Sequence, residues 1–315
     1  MKKWVKLLLG GIGIGAGSAV PGVSGGTIAV IFGVYNRIIW AVSNIIKHFK
    51  QAIVILLPAL LGLIIGFIPT YYLMHKALYG FVFGVICIFA GFIIGSIPGI
   101  KDEVKDVKPT KKHYIILIIS ALVAVGIGVA SVLVKADVSS YFNNTPVWFY
   151  FVLIPVGFVA SVALVVPGIS GAMLLLLMGF YVPLSDFIFG TLDACFKAGD
   201  WSNFGHFLGI VGCLAIGIIL GFFFISKLMH YLLNKYHDYT FYSIIGFVIG
   251  SVGALFYNFE INKYYINWAS GLSGYTPMYV EIPIGIVLLI GFAVLSYLLV
   301  RYKRKVESKE NEIAE

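Results

Sequence analysis

The sequence predicts an all-α polytopic membrane protein, built as an inverted-topology repeat with two re-entrant broken-helix hairpins and about six full transmembrane helices. Three observations predict it. Hydrophobic residues make up 60% of the 315-residue chain and charged residues 11%, too little polar surface for a water-soluble domain of this length. Apolar runs of about 20 residues, enough to cross a bilayer core, recur from end to end. Finally, residues 19–31, AVPGVSGGTIAVI, return 146 positions later as residues 165–177, VVPGISGAMLLLL.

The apolar runs fall at 5–20, 27–46, 52–73, 79–100, 113–134, 147–166, 172–190, 205–229, 239–258 and 281–300. The short alternating segments of a transmembrane β-barrel are not visible. Residues 1–17 have the basic start and apolar stretch of a signal peptide but continue straight into the first motif, and are expected to be retained. Residues 5–20 form about 24 Å of helix, short of a hydrocarbon core of about 30 Å, so a hairpin that turns inside the membrane is expected there. Pro21 and Gly22 interrupt the helix, and Ser24 and Gly25 precede its resumption. Pro167, Gly168, Ser170 and Gly171 stand in register with them, as Gly179 and Tyr181 do with Gly33 and Tyr35.

The repeat extends beyond the motif. GFIIGS at 91–96 returns as GFVIGS at 246–251, and Met74 and His75 return as Met229 and His230, all at an offset of 155. This gives a first repeat over 1–112 (hairpin plus two spanning helices), a linking helix over 113–135 and a second repeat over 136–258. An external loop and last helix follow over 259–302, then a polar, disordered cytoplasmic tail over 303–315. A repeat of that kind crosses an even number of times, so the single helix between the two inverts the second. With the N-terminus inside, 18 of the 22 Lys and Arg residues fall on the cytoplasmic side, leaving Lys76, Lys135, Lys197 and Lys263 outside. The net charge of +8 is thereby assigned to topology rather than to nucleic acid. Cys87, Cys195 and Cys213 have no paired spacing and read as packing residues, not a metal or redox site.

Backbone exposed at membrane depth has to be buried in protein or line a wet cavity. Two such tips, each followed by the start of a helix, present free N–H groups and the positive end of a helix dipole, an arrangement that holds anions and phosphate above all. The candidate substrate-binding residues are Ser24, Gly25, Gly26 and Thr27 from one tip, and Ser170, Gly171 and Ala172 from the other. Arg37 lies about 15 Å further along a helix, at the cytoplasmic mouth. Close helix packing alone would also use the glycines, but it does not require Pro and Ser at matched positions. His75 and His230 read as interfacial histidines with a possible proton-relay role. Gly-x-Ser-Gly also resembles the short serine signature of rhomboid-type intramembrane proteases. Such an enzyme needs a histidine buried on another helix, and the duplicated motif argues against a single nucleophile, so no catalytic residue is assigned.

PGVSGGT at 21–27, GVYNRI at 33–38 and PGISGA at 167–172 together resemble the bacterial polyprenyl-phosphate transporter family, the undecaprenyl-phosphate flippases, over residues 5–300. The resemblance implies transport of the lipid carrier of cell-wall synthesis from the outer to the inner leaflet of the cytoplasmic membrane, with no cofactor. Since inward movement of each negative charge costs about 2.3 kcal/mol per 100 mV, protonation of the phosphate, a cotransported cation or a steep lipid gradient has to offset it. Many members carry an acidic residue three before the first Pro and another after the Tyr. Here these are Ser18 and Asn36, which removes carboxylates from any coupling role there. A secondary transporter of a soluble phosphorylated or carboxylated anion is the alternative the residues leave open.

Overall fold

The two halves of the chain fold into matched sets of helices. The structure is a computed structural model and describes residues 2–20, 23, 25–45, 47–133, 138–143, 145–166, 169–270 and 276–314. The first half holds α1 (Lys2–Ala19), α2 (Gly25–Ile31), α3 (Tyr35–Ser43), α4 (Phe49–Gly80) and α5 (Val82–Lys101). Then α6 (Lys111–Leu133) and the short α7 (Ser139–Asn143) lead to the second half. That half holds α8 (Val147–Ala160), α9 (Val162–Val165), α10 (Gly171–Leu177), α11 (Tyr181–Asp193) and α12 (Phe204–Phe256), and α13 (Phe259–Ala269) and α14 (Met278–Ala314) close the chain. Among the described residues there is no strand, and six helices are long and apolar enough to cross a membrane.

Several boundaries differ from the sequence expectation, each for a local reason. The apolar runs 27–46 and 172–190 are each broken, because Gly33 (φ +60°) and Gly179 (φ +79°) take the left-handed conformation. The region expected as an external loop contains α13, whose Ile261 and Tyr264 are buried. The tail expected to be disordered continues α14 to Ala314.

At 53 residues α12 is about 80 Å of helix, far more than one crossing. It folds back at Tyr236 (φ −137°, ψ 41°). There the Thr240 hydroxyl comes 3.4 Å from the Leu232 carbonyl, whereas eight residues of straight helix cover about 12 Å. Phe81, 155 positions earlier, breaks the chain between α4 and α5 with nearly the same angles (φ −141°, ψ 52°).

Matched glycines set the packing. Gly62 and Gly66 of α4 meet the backbone of Leu8, Ile12 and Ala16 on α1, and Gly217 and Gly221 of α12 meet Ile154 and Phe158 on α8. Likewise Gly91 and Gly95 of α5 meet Leu289 and Ala293 on α14, while Gly246 and Gly250 of α12 meet Leu117 and Ala121 on α6. In all four pairs the numbers rise together, so the paired helices are parallel. The helix after each repeat thus packs on the opposite repeat: α6 on the second, α14 on the first.

The ends of the helices define two faces. Leu7 at the start of α1 clusters with Val34, Ile38 and Ile55, near the start of α4. The far end of α4, at Tyr71 and His75, touches Ser185 and Asp186 of α11. That helix in turn packs on Phe149 and Leu153 near the start of α8 and on Ile210 of α12. The second hairpin therefore enters from the face opposite the first. Arg304 of α14 forms an ion pair with Asp102 beyond the end of α5 and donates to the Pro98 carbonyl (3.0 Å), which returns the C-terminal helix to the face where α1 begins.

A Cβ at Gly217 would overlap the Ile154 carbonyl, whereas one at Gly291 would meet nothing within 4 Å. Gly217→Ala is expected to cost about 1–3 kcal/mol by overpacking, and Gly291→Ala to gain up to about 1 kcal/mol of helix propensity. Thermal unfolding of the purified variants in detergent, followed by loss of the monodisperse species, checks both signs.

Candidate functional site

Each motif lies at the tip of a hairpin. In the first, Gly17 faces Val23 and Ile28, Gly13 faces Ile28 and Phe32, and Gly10 faces Val34, so α2 runs back antiparallel along α1. In the second, Gly171 at the start of α10 faces Ala160 (3.4 Å) and Ala163 (3.6 Å), and Phe180 stacks over Phe149 near the start of α8. After Gly179 the chain turns 109° into α11. The first helix of each hairpin runs alongside a long helix, Gly15 opposing Leu63 and Phe67 near the middle of α4, and Gly157 opposing Leu214 and Ile218 of α12.

Of the predicted site residues, Ser24 and the structural Pro21, Gly22, Pro167 and Gly168 lie outside the described residues. Gly25 opens α2, with Gly26 and Thr27 in its first turn. An added Cβ at Gly25 would stand 2.8 Å from the Ser18 hydroxyl, which donates to Ile14 O. At the other tip Val166 and Ser170 are extended, and Ser170 is the N-cap of α10. Its side chain is buried yet makes no capping hydrogen bond, so the hydroxyl is not consumed by its own helix, contrary to the capping role its position suggests. Gly171 begins α10, and Ala172 packs on the central core.

Arg37 is on α3, away from the tips. It lines an open cleft of about 420 Å³ with Leu7, Asn36, Trp40 and Ile55, between the starts of α1 and α4. The cleft pairs one exposed guanidinium with apolar and aromatic walls.

The residues that sequence reasoning missed form a polar cluster where α4 meets α11. Ser185 donates to the Tyr181 carbonyl (2.6 Å), and its oxygen lies 2.5 Å from the Tyr71 hydroxyl, which is therefore the donor in that bond. The Tyr181 ring stands edge-on to Tyr71 at 5.4 Å, and its own hydroxyl is buried without a hydrogen-bond partner among the described residues. His75, read from sequence as interfacial, is buried and lies 3.4 Å from Asp186. Its counterpart His230 is exposed beside Asn234. Two sequence signals pointed here, the repeat of Tyr35 as Tyr181 and the matched His75 with its proton-relay reading.

Fold and site together define a polytopic membrane protein of the inverted-repeat type, with a broken-helix hairpin in each half. The chain belongs to the VCA0040-like, or undecaprenyl phosphate translocase-like, family, whose model matches residues 14–271. It is 30% identical over 258 residues to a protein of Staphylococcus aureus named polyprenyl-phosphate transporter, covering 81% of this chain and 86% of that one. A Vibrio cholerae protein of the same name is 28% identical over 263 residues, covering 79% and 76%. No solved structure matches the chain.

A buried donor left unpaired costs about 1–3 kcal/mol. Tyr181→Phe, which removes it while keeping the ring, is expected to leave thermal stability unchanged or higher. A drop in the unfolding midpoint would show that the hydroxyl has a partner in the folded protein.

Proposed function

We propose that this protein carries undecaprenyl phosphate from the outer to the inner leaflet of the bacterial cytoplasmic membrane, returning the carrier to cell-wall synthesis. The observation that carries the reading is the pair of hairpins entering from opposite faces, which gives each leaflet its own route to exposed backbone N–H groups. Family membership and the names of the two relatives support the choice of lipid. The excess of basic residues on the face that holds both termini supports a cytoplasmic position for that face.

In this reading the headgroup is held by the Ser24 and Thr27 hydroxyls and the amides after Gly25 and Gly26 from one tip. The Ser170 hydroxyl and the amides of Gly171 and Ala172 hold it from the other. Arg37 receives it at the cytoplasmic cleft, where Leu7, Trp40 and Ile55 offer an apolar wall to the first isoprene units. A soluble anion has no use for such a wall.

The test is a liposome with undecaprenyl phosphate supplied to one leaflet and its accessibility followed from each side. A hydrogen bond to a charged group is worth about 1.5–3 kcal/mol, or about 10- to 150-fold in affinity. Ser24→Ala and Ser170→Ala are each expected to fall in that range, with a double mutant that departs from additivity because both touch one phosphate. Simple additivity, or wild-type transport by either variant, would mean that the tips do not share a phosphate. In the same vesicles Arg37→Gln is expected to slow transport more than Lys47→Gln, which removes a charge on the same face without touching the cleft. Equal slowing would reduce Arg37 to a topology anchor.

A further inference from the structure

Among the described residues three His or carboxylate side chains are buried: His75, His113 and Glu281. Two are committed locally. Glu281 accepts from the Phe83 (2.8 Å) and Gly84 (3.3 Å) amides and from the Tyr264 hydroxyl, capping the start of α5 from another helix. His113 bonds Thr110 (2.7 Å) at the start of α6 and stacks on Tyr239.

His75 differs, because its Nδ1 lies 3.4 Å from Asp186 Oδ1 across the contact between α4 of the first repeat and α11 of the second. The histidine side chain is 8% exposed and the aspartate 42%, so the pair has one buried and one open end. Duplication does not account for it: the position matched to Asp186 is Trp40, and the counterpart of His75 is exposed. The Tyr71–Ser185 hydrogen bond, one turn before His75 and one residue before Asp186, fixes the two helices at this point. His75 stands near the end of the spanning helix α4, and an ionisable side chain buried there is costly and marks a charge pathway more often than a packing device.

The geometry points to His75–Asp186 as a proton-binding site that couples lipid movement to the proton gradient. One H⁺ enters from the outer solution through Asp186, converting the imidazole to imidazolium and the net charge of the pair from −1 to zero. The imidazolium then passes that proton to an oxygen of the lipid phosphate, returning to neutral imidazole, and the protonated phosphate crosses and releases it inside. The lipid thus moves with one negative charge fewer. This rests on the transport reading above and on its orientation. Among the described residues the titratable groups around His75 are Tyr71, Tyr72 and Lys76 on α4 and Tyr181 and Asp186 on α11, with the Asp193–Lys197 pair at and just beyond the end of α11.

The experiment uses the full chain in liposomes that hold a trapped pH dye, with undecaprenyl phosphate in the outer leaflet and the potential clamped by potassium and valinomycin. Wild-type vesicles are expected to acidify as lipid moves inward, faster at lower outer pH. His75→Gln and Asp186→Asn, the latter on the half-exposed partner where folding is least at risk, are expected to move lipid without acidification. At 100 mV, inside negative, one uncompensated charge lowers their inner-to-outer lipid ratio about 50-fold relative to wild type. Acidification by both variants at the wild-type rate, or wild-type lipid movement with none, overturns the inference and leaves the transport reading standing. Wild-type vesicles that move no lipid remove both.

Discussion

The constraint on which this fold depends is the absence of water in the bilayer core. A helix that breaks there leaves amides and carbonyls without partners, each costing several kcal/mol in hydrocarbon. The chain breaks at two such places, so the surrounding helices must enclose both tips. They do so by approaching until backbones touch, which is why glycines recur at the crossings of α1 with α4 and of α8 with α12. In a membrane this packing is the main attraction available between helices, since lipid tails are as apolar as leucine. The small residues are therefore not incidental to the hairpins. They hold an otherwise unfavourable backbone conformation inside the membrane.

The same contacts join the two halves. Because α6 lies on the second repeat and α14 on the first, each repeat contributes the helix that covers the other. The chain reverses at Phe81 and at Tyr236 with nearly identical angles, and each break separates a helix that flanks a hairpin from one that carries a swapped partner. Alternating access in inverted repeats consists largely of one bundle rocking against another around a fixed site. Here the two backbone breaks lie between the units that such a motion would separate.

Much of this was legible in the sequence because it is local or periodic. Pro-Gly-x-Ser-Gly interrupts a helix wherever it stands, run length against bilayer thickness distinguishes a hairpin from a span, and basic residues report their side. The glycine at Gly33 repeated at Gly179 marked both chain turns, although the apolar runs hid the breaks they cause. What was not legible depends on partners far away in the chain. His75 and Asp186 are 111 positions apart, Tyr71 and Ser185 114, and Glu281 caps a helix almost 200 residues before it. No periodicity encodes such pairings, and a histidine near the end of an apolar run looks interfacial until the helix that covers it is known. The Ser170 hydroxyl is a related case. Its position and backbone angles suit an N-cap, and only the structure shows that it makes no capping bond.

The scaffold is nearly symmetric, whereas its polar residues are not. Asn36, Arg37 and Trp40 of the first half stand where Val182, Pro183 and Asp186 stand in the second, so one face carries a cationic cleft and the other an acid paired with a buried histidine. Such asymmetry sets rates, since it determines how readily each mouth accepts or releases an anion. It cannot set direction, because a path that only binds and releases lipid relaxes toward equilibrium whichever mouth binds more tightly. In a cell that is negative inside, that equilibrium disfavours inward movement of an anion by about 2.3 kcal/mol per charge at 100 mV. For the proposed inward traffic, direction has to come from consumption of the lipid on the inner side or from an ion that crosses with it. Of these, only the second requires ionisable side chains along the path, and the buried histidine with its aspartate at the junction of α4 and α11 meets that requirement.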